Sequence, residues 1–307
     1  MPVAFLAAGA APPPKAVLAP SEIVAKAPAA DWVEIAASDM LVMDLVPDRD
    51  GNKRRVIIQL MPPPFSQGWV GNIRKLAAAH WWDGTAVTRV QDNYVAQWGD
   101  PDAEDKAKAK KLPDGLVTVP ESEYAISDEG RVPRPVPLKG RDAYAHSTGF
   151  VRSFPVGIEP PIMHMSGGSW WPVHCYGMVG VGRNLSPDTG SGAELYTVIG
   201  HAPRHLDRNI ALVGRVISGI ENLSSLPRGT GPLGFYERPG QRVGITSIRL
   251  ASELPAAEQP KFQYLSTESA TFAAYADARA NRRDAFFNVP AGGADICNVP
   301  VPVRKTP

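Results

Sequence analysis

Apolar and polar positions change rhythm several times along the chain, and each rhythm predicts an element. Met40-Leu41-Val42-Met43-Asp44-Leu45 and Arg55-Val56-Ile57-Ile58-Gln59-Leu60 are short apolar runs on either side of Pro47-Asp48-Arg49-Asp50-Gly51-Asn52, the pattern of two strands joined by a turn. Over 66–80 the apolar residues Trp69, Val70, Ile73, Leu76 and Ala77 recur at spacings of three and four, and Asp83-Gly84 ends the series. That predicts one amphipathic helix covering the sheet. β-rich segments follow at 87–98, 176–182, 194–199, 210–216 and 243–250, separated by Gly, Pro and Asp, and a mainly antiparallel barrel or sandwich accommodates them. Ile217, Ile220 and Leu223, ahead of Pro227, predict a second short helix over 216–226.

Elsewhere the rhythm fails. Residues 1–37 read as a leader or linker, Ala/Pro-rich to about residue 30 and without the apolar content to offset an ordering entropy. Between Asp100 and Trp170 the chain is Lys-rich at 106–111 and then Pro-rich, so about 101–170 is expected as a long inserted loop. The periodic segments thus occupy 38–254, and 255–307 forms a C-terminal extension with a helix over 266–287 and an extended tail. Within that tail 295–301 is expected as a strand added to the barrel.

Composition narrows the partners. Of 307 residues 44% are apolar, enough for a substantial core. The 32 basic and 31 acidic residues leave a formal charge of +1, which favours neither nucleic acid nor an anionic membrane. No run reaches the roughly 18 apolar residues that span a bilayer. Thirty-one prolines, clustered at Met61-Pro62-Pro63-Pro64 and Pro133-Arg134-Pro135-Val136-Pro137, limit long helices. Cys175 and Cys297 are too few for a disulfide scaffold or a cysteine-only metal site; they either pair with each other or remain two buried thiols. The apolar, small-residue stretch at 2–12 reads either as the end of a secretory signal or as a linker, so a periplasmic or exported protein stands beside a cytoplasmic one. No cofactor or metal is expected. His174, His201 and His205 lack metal-ligand spacing, and Gly190-Ser191-Gly192 lacks the Lys-Ser/Thr of a phosphate loop. The pairs Trp81-Trp82 and Trp170-Trp171 are expected to pack.

Asp83-Gly84-Thr85, then Thr88-Arg89-Val90, then Gln97-Trp98-Gly99-Asp100-Pro101 follow the first hairpin and helix. Val181-Gly182-Arg183, Gly192-Ala193-Glu194-Leu195-Tyr196, His205-Leu206-Asp207 and Leu212-Val213-Gly214-Arg215-Val216 continue the series. Each piece alone is weak, but their joint order resembles the cyclophilin family over about 40–252, interrupted by the insertion. The resemblance implies an eight-stranded antiparallel β-barrel capped by two helices, here with a C-terminal helix and tail added. It also implies a peptidyl-prolyl cis-trans isomerase acting as a monomer on proline-containing peptides or unfolded client proteins.

The resemblance assigns roles by position. Arg89 is the expected catalytic cation and Gln97 its holder. Tyr94, Val95, Tyr196 and Leu206 are expected to wall the pocket for the proline ring, with Gly182 and Arg183 meeting the residue before it. Glu194 and His205 are also expected to bind substrate, although His205 stands where the family has an aromatic residue and Glu194 where it has glutamine; Ile210 falls near a family histidine. The altered pocket leaves a second reading open, a peptide-binding module with little catalysis. A third, an unrelated ligand-binding barrel, requires an apolar interior cavity.

Overall fold

The computed structural model describes residues 17–127, 135–161 and 167–306. The signal-like stretch at 2–12 and part of the proline cluster at 133–137 lie outside them. In chain order the elements are α1 (Pro20–Ala25), β1 (Trp32–Glu34), β2 (Met40–Leu45), β3 (Arg54–Leu60), α2 (Gln67–Ala78), β4 (Ala86–Val90) and β5 (Val95–Gly99). The inserted region carries β6 (Ile126–Ser127), β7 (Val136–Leu138), β8 (Ser147–Val151), β9 (Phe154–Glu159) and β10 (Ser169–Pro172). Then come β11 (Met178–Val181), β12 (Leu195–Val198), β13 (Leu212–Ser218), α3 (Glu221–Ser224), β14 (Val243–Leu250), β15 (Phe262–Leu265), α4 (Ala270–Ala280) and β16 (Val303–Lys305).

Eight strands close an antiparallel barrel in the order β11-β12-β5-β4-β14-β2-β3-β13. The fold is mainly β, as expected. Alternation along β2 and β3 sorts their side chains. Leu41, Met43, Val56 and Ile58 join the main core with Trp69, Ile73 and Leu76 of α2, while Met40, Val42 and Ile57 pack outward against Ile35, Ala251 and Phe262. Both faces of this hairpin are therefore covered, which explains its continuous apolar runs. Trp69, Trp82 and Trp98 are fully buried within the same core, so large side chains fill the space that the ligand-binding-barrel reading would leave as a cavity.

Several expectations need correction. The inserted region is no simple loop: β6-β10-β9-β8-β7 form a five-stranded antiparallel sheet, whose Phe150, Phe154, Trp170 and Trp171 are buried. The polar stretch before it docks on α2, where buried Asn72 donates from Nδ2 to the Val117 carbonyl at 2.8 Å and accepts the Val117 amide at 2.9 Å. Residues 20–34 are packed rather than a free leader, since α1 lies against α4 and β1 pairs with β15. The helix expected over 216–226 shrinks to one turn, because Val216 and Ser218 extend the β13 ladder to β3. In the C-terminal extension α4 is shorter than 266–287. The segment at 296–298 is a 3-10 turn rather than a barrel strand, and β16 joins β1 and β15 in a separate three-stranded sheet. A Cys175–Cys297 disulfide ties this extension to the segment entering β11.

Candidate active site

The site begins with a defect in the β4–β5 ladder. Val87 pairs with Trp98, but the next pair is Arg89 with Gln97, so Thr88 is an extra residue. Strict alternation would put Arg89 on the same inward face as Val87. The bulge turns it outward beside Gln97, while Val90 and Ala96 return to the core. A bulge of this kind re-aims one side chain without ending the strand.

Once outside, Arg89 is held on three sides. Its Nε donates to the Leu233 carbonyl at 2.7 Å, one terminal nitrogen donates to Gln97 Oε1 at 2.9 Å, and the other donates to Gln91 Oε1. Its guanidinium also lies 5.6 Å from the Tyr94 ring centre and 5.3 Å from that of Phe235. The Leu233 carbonyl comes from the loop between α3 and β14. That loop is fastened to β4 by Gly229 N–H to Val90 O and Tyr236 N–H to Thr88 O, each at 2.9 Å. Gly234, at φ +80°, lets the loop pass close over Gln91. Gln97 is fixed in turn, donating from Nε2 to Glu194 Oε1 at 2.6 Å. Glu194 lies across Gly182, where a β-carbon would come within 2.8 Å of its side chain.

Arg89, Tyr94, Val95, Gln97, Gly182, Arg183, Tyr196 and Leu206 line one surface pocket of about 110 Å³, together with Val181 and Ile210. The fold thus brings eight of the ten expected site residues to one place. Glu194 stands behind Gln97 rather than on the wall. His205 is exposed and off the pocket, because it occupies the middle of a 3-10 turn, Arg204–Leu206, whose flanking residues turn inward. Arg183 donates to the carbonyls of Asn209 and Asn184, leaving its backbone at the rim.

Burial lowers the pKa of Arg89, an effect opposed by Tyr94, Glu194 and Tyr196 nearby, and a guanidinium keeps its charge under such a shift. Burial raises both Tyr94 and Tyr196, the latter strongly, so both phenols are neutral. Burial also raises the Glu194 carboxyl, and its bond from Gln97 only partly offsets this. Behind Tyr196 lies a layer that the sequence left unassigned. The Tyr196 hydroxyl bonds His174 Nε2 at 2.8 Å, and His174 Nδ1 bonds Asp207 Oδ1 at 2.9 Å. Gln91, Phe235 and the Leu233 carbonyl were also missed. The dense Arg228-Gly-Thr-Gly-Pro-Leu-Gly-Phe235 run marks a loop, but nothing local says which strand it covers.

Residues 55–250 match the family described as cyclophilin type peptidyl-prolyl cis-trans isomerase/CLD. Among solved structures, the cyclophilin AquaCyp293 from Hirschia baltica superposes with a TM-score of 0.66 at 22% identity, covering 89% of this chain and 92% of that one; it supports the fold. A Cryptosporidium parvum cyclophilin-type isomerase, crystallised in the presence of the dipeptide Ala-Pro, aligns with a TM-score of 0.38 at 12% identity, over 68% of this chain and 98% of its own. No curated protein matches the sequence.

Proposed function

The chain belongs to the cyclophilin-type peptidyl-prolyl cis-trans isomerases, and on that premise we propose that Arg89 catalyses rotation about X-Pro bonds in extended peptides docked on the pocket. An X-Pro amide resists rotation because twisting breaks its partial double bond, a barrier of roughly 18–20 kcal/mol. No covalent intermediate is needed. A catalyst has only to bind the twisted amide more tightly than the planar one. As the bond twists, the prolyl nitrogen regains a lone pair, and a fixed cationic N–H can hydrogen-bond to it.

The observation that carries this reading is the way Arg89 is held. A guanidinium has about five N–H groups in one plane, of which Arg89 commits three to Leu233, Gln97 and Gln91. Two remain for a substrate, and the three bonds supply in advance the reorganisation that would otherwise accompany the reaction. Tyr94, Val95, Tyr196 and Leu206 offer an apolar seat for the proline ring beside those donors. On this reading the clients are chains folding in an oxidising compartment such as the periplasm, supported by the Cys175–Cys297 bond.

A protease-coupled assay on a proline tetrapeptide tests the proposal. Arg89→Ala should lower kcat/KM by about 10²–10³-fold, the usual effect of removing one preorganised donor. Absence of activity in the natural protein rejects it in favour of the peptide-binding module, and activity indifferent to Arg89→Ala rejects the role of Arg89.

A further inference from the structure

Beyond the pocket, a continuous buried relay joins its wall to the inserted sheet. It starts at Tyr196 on β12, passes through His174 to Asp207, and continues to Arg204, whose Nε donates to Asp207 Oδ2 at 2.7 Å. Both terminal nitrogens of Arg204 then bind the carboxylate of Asp142, at 2.8 and 2.9 Å. Asp142 lies between β7 and β8, inside the inserted region. His174 is 0% exposed, Arg204 4%, Tyr196 5% and Asp207 6%, and the Asp142 side chain is 5% exposed. Water therefore offers these groups no substitute partners, and each depends on the next.

The relay also fixes the direction of its own bonds. Asp207 Oδ1 accepts the backbone N–H of His174 as well as its Nδ1, and a carboxylate can only accept. A ring proton therefore sits on Nδ1, and because burial lowers the His174 pKa and favours the neutral ring, the bare Nε2 accepts the Tyr196 hydroxyl. Tyr196 turns its polar end away from the pocket and presents only ring to a ligand, as a phenylalanine would. Arg204 and Asp207 flank Leu206, so the same ion pairs set a second pocket wall.

We propose that His174, Asp207, Arg204 and Asp142 are positioning residues that set the Tyr196 and Leu206 walls of the proline pocket, so that the inserted sheet tunes the affinity for X-Pro peptides. This rests on the isomerase reading of the pocket. It separates two jobs: Arg89 and Gln97 govern turnover, and the relay governs how closely the walls fit the ring.

A double-mutant cycle tests it, with KM and turnover of a proline peptide measured separately by NMR exchange. Asp142→Asn and Tyr196→Phe should each raise KM about fivefold, the scale of coupling within one hydrogen-bonded network, with turnover falling less. The double variant should be no worse than the weaker-binding single one. Multiplying effects would show that the two ends act independently and overturn the proposal, as would a lower melting temperature with KM unchanged. Asp142→Glu keeps the charge but shifts it, and should give an intermediate KM; it also serves if Asp142→Asn does not fold. Should the natural protein prove inactive, the same cycle is read from the peptide's dissociation constant, so failure of the relay and failure of the isomerase reading stay distinct.

Discussion

A guanidinium acts as a fixed dipole only when its own torsions are restrained, and at Arg89 the restraint passes from Leu233, Gln91 and Gln97 back to Glu194. Ionised Glu194 clamps the Gln97 amide with its oxygen toward Arg89. Because burial holds the Glu194 carboxyl above the usual range, it gains a proton at a higher pH than an exposed glutamate, and the clamp weakens there. Isomerisation efficiency should therefore fall on acidification in a step above the ordinary glutamate range, and Glu194→Gln should remove that step. A pH–kcat/KM profile with no such step, or the same step in Glu194→Gln, refutes this. Arg89 and Gln97 could be singled out because the motifs around them follow one another in an order that resembles a known family, and the bulged β4–β5 ladder brings the two side chains together. The relay could not, because Asp142, His174, Tyr196 and Arg204–Asp207 come from four separated segments and meet only after the barrel closes.

Among the elements, the β2–β3 hairpin and α2 followed directly from local periodicity, and their observed bounds lie close to those expected, whereas the single segment at 87–98 divides into β4 and β5. Local pattern failed where tertiary pairing decided the outcome. Ile217 and Leu223 have helical spacing, yet Ser218 pairs with Ile57 across β3, and the ladder outweighs three or four residues of weak helix propensity. The β11–β12 pair shows how close such fits are. Gly180 faces Tyr196 across the ladder, and a β-carbon at Gly180 would lie 2.3 Å from the Tyr196 hydroxyl and Cζ. Gly180→Ala should displace that ring and cost about 1–3 kcal/mol, the range for overpacking a dense core. In a Tyr196→Ala background the same change should cost less than half as much. Denaturant melts of the four proteins decide, and an undiminished cost in the double variant refutes the account.

At the scale of the molecule, a disulfide and a small sheet bind the terminal segments to the barrel. The Cys175–Cys297 bond spans a sequence separation of 122 residues. Closing so long a loop removes unfolded-state entropy worth ~4–5 kcal/mol in the chain-entropy description. Replacing both cysteines by serine should therefore lower Tm on the order of 10 °C, and protein alkylated at lysis in its own cells should show no free thiols. An unchanged melting curve would mean that packing alone holds the extension, and free thiols would count against export. The three-stranded sheet carries a different consequence. β1 pairs only with β15 in that sheet, and β15 must also receive β16. On a translating ribosome, Trp32 emerges about 230 residues before its partner Leu265, a wait on the order of 10–50 s at ordinary elongation rates. The barrel strands between them can pair during that interval, but the β1 edge stays open until β15 has been made. The first strand of the fold thus waits on strands made after the barrel, and the sheet is complete only when β15 lies between β1 and β16.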